Sequence, residues 1–218
     1  VHPVPLDILE GQIDAVLSDI GADAVKIGML HSAEVVNLVA DKLQQYGIRN
    51  VVLDPVMVST SGHRLIEETA VEVIKEMLIP LARVLTPNVP EAEILIGRKI
   101  AGESDFKDVA EELAGRYNVS VFLKAGHLSD ETLTDYFYNV EDHSLTLLPS
   151  RRVHTRNTHG TGCTLSSALA AALARGEELT AAARSAKAYI EQAVISGSEY
   201  EIGHGHGPVD HFFALRSL

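Results

Sequence analysis

The densest chemistry in the chain lies in Asn157-Thr158-His159-Gly160-Thr161-Gly162-Cys163-Thr164, which runs into the small, apolar stretch Leu165-Ser166-Ser167-Ala168-Leu169-Ala170-Ala171-Ala172-Leu173. Gly160 and Gly162 suit a tight turn, and the residues after them form helix readily. A glycine-rich turn that opens a helix gathers unpaired backbone N–H groups at the positive end of the helix dipole. Such a turn binds anions, phosphate above all. Cys163, the one cysteine of the chain, stands at that helix start, where a thiolate is favoured. An anion cradle and a side chain able to take a proton therefore share one turn. The blander alternative is a tight loop carrying a small buried thiol. The turn is not a Walker A loop, because no Gly-Lys-Ser/Thr follows. Nor is it Gly-x-Gly-x-x-Gly, because Leu165 replaces the third glycine.

Four further groups fit the same chemistry. Asp54, Asn88 and Glu91 are oxygen ligands suited to magnesium, directly or through water. Lys124 offers a mobile positive charge to a phosphate chain. The N–H groups of residues 160–162 would meet negative charge as it grows during transfer, and Cys163 is a candidate base for the proton of an attacking hydroxyl. These are the parts of phosphoryl transfer, in which positioning and charge stabilisation supply most of the catalysis. Taken singly, each has a structural explanation. Asp54 before Pro55 caps a turn, Asn88 between Pro87 and Pro90 is turn chemistry, Glu91 suits a helix start, and Lys124 is a solvated strand-end lysine. Their joint placement favours the functional reading.

That placement depends on the elements. Residues 6–20 carry Ile8, Leu9, Ile13, Val16, Leu17 and Ile20 at helical spacing, ended by Gly21. Ala24 to Met29 reads as a strand. Ser32 caps a helix whose stripe is Val35, Val36, Leu38, Val39 and Leu43. Val51 to Val56 is a continuous apolar run, as a strand covered on both faces requires. A loop rich in Ser, Thr and Gly comes next, then a helix over 67–78 and a strand over 83–86. Further helices are expected over 91–96 and 106–116, and a strand over 119–124. Asp135 to Tyr138 and Ser144 to Leu148 alternate around Glu141-Asp142-His143 as a hairpin. Beyond it lie the glycine-rich turn and its helix, then a helix over 180–195. Strands alternating with helices predict a mainly parallel sheet covered on both faces. Ligands gather at the C-terminal ends of such strands. Met29, Asp54, Thr86, Asn88 and Lys124 all fall there.

Composition sets the frame. A chain of 218 residues with 46% apolar and 22% charged content fits one globular domain. A net charge of −12 argues against nucleic-acid or anionic-membrane partners. No apolar run reaches membrane-spanning length, and a single cysteine suits the reducing cytoplasm. His204, His206 and His211 invite a metal reading. A pair separated by one glycine, without a completing Cys or carboxylate cluster, argues instead for a loop that folds against the body.

The segment 157–168 resembles the signature of the hydroxymethylpyrimidine/phosphomethylpyrimidine kinases of thiamine biosynthesis, members of the ribokinase-like superfamily. Lys26-Ile27-Gly28-Met29-Leu30, Asp54-Pro55-Val56-Met57-Val58, Thr86-Pro87-Asn88-Val89-Pro90-Glu91-Ala92, Lys124-Ala125-Gly126-His127 and Gly203-His204-Gly205-His206-Gly207-Pro208 resemble the same family in the same order. The resemblance spans nearly the whole chain. It implies a three-layer α/β/α fold and ATP-dependent phosphorylation of 4-amino-5-hydroxymethyl-2-methylpyrimidine (HMP), then of its monophosphate. It implies Cys163 as base, Gly160, Thr161 and Gly162 as anion hole, and Asn88 and Glu91 as the pair that organises Mg2+. Asp54, Thr86, Lys124 and Gly126 resemble ATP-side contacts, while Met29 and Val56, with Cys163, match the pyrimidine pocket. A cytoplasmic homodimer is implied as well. The alternatives are a pyridoxal kinase of the same superfamily and a non-catalytic pyrimidine- or nucleotide-binding remnant. Two departures stand out. The family reads Lys-Gly-Gly-His where this chain has Ala125. It also opens with a strand, a glycine-rich Ser-Asp turn and a pyrimidine-holding glutamine, whereas this sequence begins Val1-His2-Pro3. The 218 residues are therefore expected to form a single kinase domain lacking that opening segment.

Overall fold

The computed structural model describes residues 2–57, 66–125 and 131–215. Six strands form one sheet in the order β1-β2-β3-β4-β5-β6. They are β1 (Val25–Ile27), β2 (Val51–Leu53), β3 (Val84–Leu85), β4 (Ser120–Leu123), β5 (Thr132–Asn139) and β6 (Ser144–Arg151). The first four run parallel, and β5 and β6 close the sheet as an antiparallel hairpin. The parallel strands are shorter than the apolar runs that encode them. Each run continues into the strand-end segment, where the amides of Asp54 and Thr86 still donate to Ile27 O and Leu53 O at 2.9 Å.

Sequential order fixes the layers. Right-handed crossovers between neighbouring parallel strands place every connecting helix on one face. These are α2 (Ala33–Gln45), α3 (Glu68–Val73), α4 (Val89–Ile96) and α5 (Phe106–Tyr117). The expected helix over 67–78 is α-helical to Val73, then a π-helical turn to Leu78 and a 3-10 turn over Ile79–Leu81. Pro80, which has no N–H to donate, lies at the start of the 3-10 turn, and the Ala82 amide closes it by donating to Ile79 O at 3.0 Å. The hairpin of α6 (Thr161–Ala174) and α7 (Leu179–Gly197) covers the other face. Strand alternation feeds two cores accordingly. Val51, Leu53, Leu85, Val121 and Leu123 pack with α2, α4 and α5, while Val52, Val84, Phe122 and Phe137 pack with α6 and α7. The result is a three-layer α/β/α fold.

α1 (Leu6–Leu17) departs from its pattern. Its apolar positions recur at helical spacing, yet none of its residues is buried, and Ile20 beyond it is 81% exposed. Polar contacts hold it to α2 instead. Lys42 Nζ lies 2.8 Å from Glu10 Oε1 and 2.8 Å from Asp14 Oδ1, and the Tyr46 hydroxyl donates to Asp14 at 2.9 Å. No helix among the described residues is long and apolar enough to cross a membrane.

Candidate active site

The C-terminal ends of β2, β3 and β4 meet the first turns of α4 and α6. Past β2, the Asp54 amide still donates to Ile27 O at 2.9 Å. The Val56 amide then donates back to Asp54 O at 2.8 Å, turning the chain at Pro55. This tight turn points the Asp54 carboxylate under α6, where the residue is 1% exposed. Its Oδ1 accepts from Lys124 Nζ at 2.8 Å and from Thr86 Oγ1 at 3.2 Å. Its Oδ2 lies 3.4 Å from the Ser166 hydroxyl.

Asn88 caps α4. Its side-chain oxygen accepts from the Glu91 amide at 2.9 Å, and Glu91 Oε2 accepts from the Asn88 amide at 2.8 Å. This reciprocal capping box satisfies two N–H groups that a helix start leaves open. It also holds Glu91, 2% exposed, facing the Asp54–Lys124 pair. Lys124 arrives from β4, where its amide donates to Pro87 O at 2.9 Å and its backbone bridges to Asn88. Lys124 Nζ is 3.9 Å from Glu91 Oε2.

Two buried carboxylates thus share one ammonium, and the closer one holds it. Burial, the largest influence, pushes Glu91 up to about 7; Lys124 and the Asn88 amide pull it down, and Asp54 pushes it further up. A buried carboxyl short of positive charge, beside a second carboxylate and an amide oxygen, is a donor set that fits a divalent cation.

The glycine-rich turn closes the cluster from above. Gly160 caps α6 at φ +85°, a left-handed conformation that favours glycine. The Thr164 amide donates to Gly160 O at 2.8 Å, and the Thr161 hydroxyl to Thr158 O at 2.7 Å. Gly162 sits against the ion pair. A Cβ there would lie 3.3 Å from Lys124 Nζ and 3.9 Å from Asp54 Oδ2. Cys163 is exposed, which removes the buried-thiol alternative.

Asp54, Thr86, Glu91, Lys124 and Gly162 are therefore gathered at one point, with Asn88 joined through the capping box. Met29 and Val56 stand on neighbouring strand ends, Met29 36% exposed and Val56 half-buried. Gly126 and His127 lie outside the described residues, as does the loop 58–65. Among described residues, Asn118 and His143 are the non-glycines with positive φ, so Ala125 fits its position without strain. A cavity of ≈ 660 Å³ opens on the outer side of α6, lined by Cys163, Thr164, Ser167, Tyr189 and His211, but not by Met29 or Val56.

The tail meets the body from Gly207 onward, whereas His204 and His206 are exposed. Asn157 Nδ2 donates at 2.7 Å to both Gly197 O and Tyr200 O, the His159 amide donates to Gly207 O at 3.1 Å, and His211 Nε2 lies 2.9 Å from Thr164 Oγ1. Sequence reasoning did not single out Ser166, which touches Asp54, or His211 as a partner of the anion turn. The signal for Ser166 was faint, a polar residue one helical turn after Gly162 on an Ala/Leu-rich helix. His211 left none, because its contact spans 47 positions.

Comparison with known proteins matches this architecture. The phosphomethylpyrimidine kinase family model covers residues 1–210. A hydroxymethylpyrimidine/phosphomethylpyrimidine kinase of Rhizobium meliloti is 46% identical over 97% of this chain and 79% of its own. Among solved structures, a phosphomethylpyrimidine kinase from Clostridium difficile superposes with a TM-score of 0.77 at 38% identity, over 88% of this chain and 78% of that one. The ADP complex of a Bacillus subtilis pyridoxal kinase superposes with a TM-score of 0.88 at 32% identity, over 98% and 79%.

Proposed function

The chain belongs to the phosphomethylpyrimidine kinase family, and on that premise we propose that it phosphorylates HMP, and then HMP monophosphate, with ATP. The observation that carries this reading is the convergence of Asp54, Glu91 and Lys124 beneath the Gly160–Gly162 turn, in a chain similar to such kinases along nearly its full length. Lys124 and the turn amides bind the phosphate chain and stabilise the charge that develops on the transferred group. Asp54 orients Lys124, and Thr86 and Ser166 orient Asp54. The sequence resemblance adds Gly126 to the nucleotide contacts. Met29 and Val56 flank the pyrimidine. Cys163 takes the proton from the HMP hydroxyl as its oxygen bonds to the γ-phosphorus and the bond to ADP breaks. In the second step the acceptor is a phosphate oxygen, largely ionised at neutral pH, so the demand on a base is smaller.

Glu91, Asp54 and Asn88 would hold magnesium, directly or through water. When bound, that ion neutralises phosphate charge. A cytoplasmic homodimer completes the proposal and rests on the sequence resemblance.

A second reading has one observation in its favour, the close superposition on a pyridoxal kinase. Competition between HMP and pyridoxal for ATP-dependent turnover, with products identified by mass, separates the two. Mono- and diphosphorylated pyrimidine are the expected products. Exclusive formation of pyridoxal phosphate would replace the first reading with the second.

A further inference from the structure

The β4–β5 ladder pairs Val121 with Tyr138, Phe122 with Phe137 and Leu123 with Tyr136. One step on, that register sets Asp135 opposite Lys124, and there the ladder stops. Lys124 turns its amide to Pro87 on the β3 side. The next amide, Ala125, donates instead to the Asp135 carboxylate, at 2.7 Å. Phe122 and Phe137 both pack into the α6–α7 core, so Lys124 and Asp135, two positions along, project to that same face. Side chains directly opposite on antiparallel strands start from Cβ atoms about 5 Å apart. Lys124 therefore stands between two carboxylates, with Asp54 on the β2 side and Asp135 on the β5 side, and it pairs with Asp54.

What occupies Asp135 is a second partly buried ammonium. Lys187 of α7 reaches Asp135 Oδ2 at 2.7 Å and Ser150 Oγ at 2.8 Å, with side-chain exposures of 13% for Lys187 and 9% for Asp135. Nothing in the transfer chemistry above requires a second lysine here. The consequence of removing it is nonetheless definite. A buried carboxylate that loses its counterion is costly and draws a neighbouring cation, and the residue opposite Asp135 across the strand pair is Lys124.

We propose that Lys187 is a positioning residue for nucleotide binding: by engaging Asp135, it leaves the Lys124 ammonium at the Asp54 side, free to meet phosphate. The inference rests on the reading of Lys124 as an ATP contact. It makes the two ends of one ion pair unequal. Lys187→Met releases the competing carboxylate. Asp135→Asn breaks the same pair but removes the competitor, and it keeps an acceptor for the Ala125 amide.

The test is ATP affinity by titration calorimetry for Lys187→Met, Asp135→Asn and the double variant, with thermal unfolding of each. Lys187→Met is expected to bind ATP about tenfold or more weakly, and Asp135→Asn and the double variant to stay within about threefold of wild type. A purely structural ion pair would respond alike to loss of either partner. Equal losses in the two single variants, or a double variant no better than Lys187→Met, would overturn the proposal. Should Lys187→Met not fold, Asp135→Asn decides alone, with retained affinity in support and a tenfold loss against. Lys124→Ala separates this inference from the reading beneath it. Unchanged ATP affinity there removes Lys124 from the nucleotide site and both fall. A loss there, together with equal losses in the two single variants, overturns the positioning role alone.

Discussion

Glu91 carries the clearest electrostatic signature in the site. Burial raises its carboxyl from 4.5 to about 7, because Lys124, its nearest cation, is committed to Asp54. A folded-state value above the unfolded one means that the fold favours the protonated acid. The associated stability is full below about 4.5 and is lost as pH rises through about 7, on the order of 3 kcal/mol in all. In the presence of a chelator, the melting temperature of wild type is expected to fall between pH 5 and 8 more steeply than that of Glu91→Gln. Identical slopes would show that another group is responsible. Added magnesium is expected to stabilise wild type more at pH 8 than at pH 5.5, since the ion binds the ionised acid. This buried pairing was only half legible in the sequence. The spacing of Asn88 and Glu91 announced a ligand pair, while the capping box that joins them emerged only in the structure. The competition of Asp54 and Glu91 for one lysine depends on tertiary burial, which no local pattern encodes.

At the scale of elements, α6 and the strand ends beneath it act as one unit. Gly162 is a helical position where alanine would ordinarily add about 1 kcal/mol of stability. Its missing Cβ, however, leaves the space that Lys124 Nζ fills, 3.3 Å from where that carbon would stand. Gly162→Ala is therefore expected to melt no lower than wild type while binding ATP about tenfold more weakly, the opposing signs typical of functional sites. Calorimetry and thermal unfolding of the one variant check both halves; unchanged affinity would show that the turn tolerates a methyl group. The glycine-rich motif could be read directly from the chain because turn chemistry is local. The other half of the device could not. Lys187 and Asp135 are 52 positions apart, and each looks alone like an ordinary charged residue on a helix or hairpin. α1 misled in the opposite direction. Its helical periodicity is real, but ion pairs to Lys42, not burial, hold it in place.

Over the whole molecule, the order β1-β2-β3-β4 explains why one edge carries the chemistry. Parallel strands joined by same-handed crossovers present all their C-terminal ends to one side. The helices that connect them line one face, and the opposite face remains for α6, whose first turn then overhangs those ends. Alternation of strand and helix in the sequence was enough to foresee a mainly parallel sheet covered on both faces, and the polar residues at successive strand ends marked the edge; the strand order that sorts the helices between the two faces was not legible there. The strands are shorter than their apolar runs, and the residues that follow them aim Asp54, Thr86 and Lys124 at one another.

On the proposed reading, phosphoryl transfer takes place where the α6 turn meets this edge, with Cys163 as the proton acceptor. The decisive measurement is the rate of HMP phosphorylation by wild type and Cys163→Ala, with ATP affinity determined for both. Wild type is expected to form the mono- and diphosphate. Cys163→Ala is expected to be at least about a hundredfold slower on HMP, the range of a lost general base, with ATP affinity nearly unchanged. Equal turnover by the two proteins would contradict that role for Cys163 and move the chemistry away from the turn.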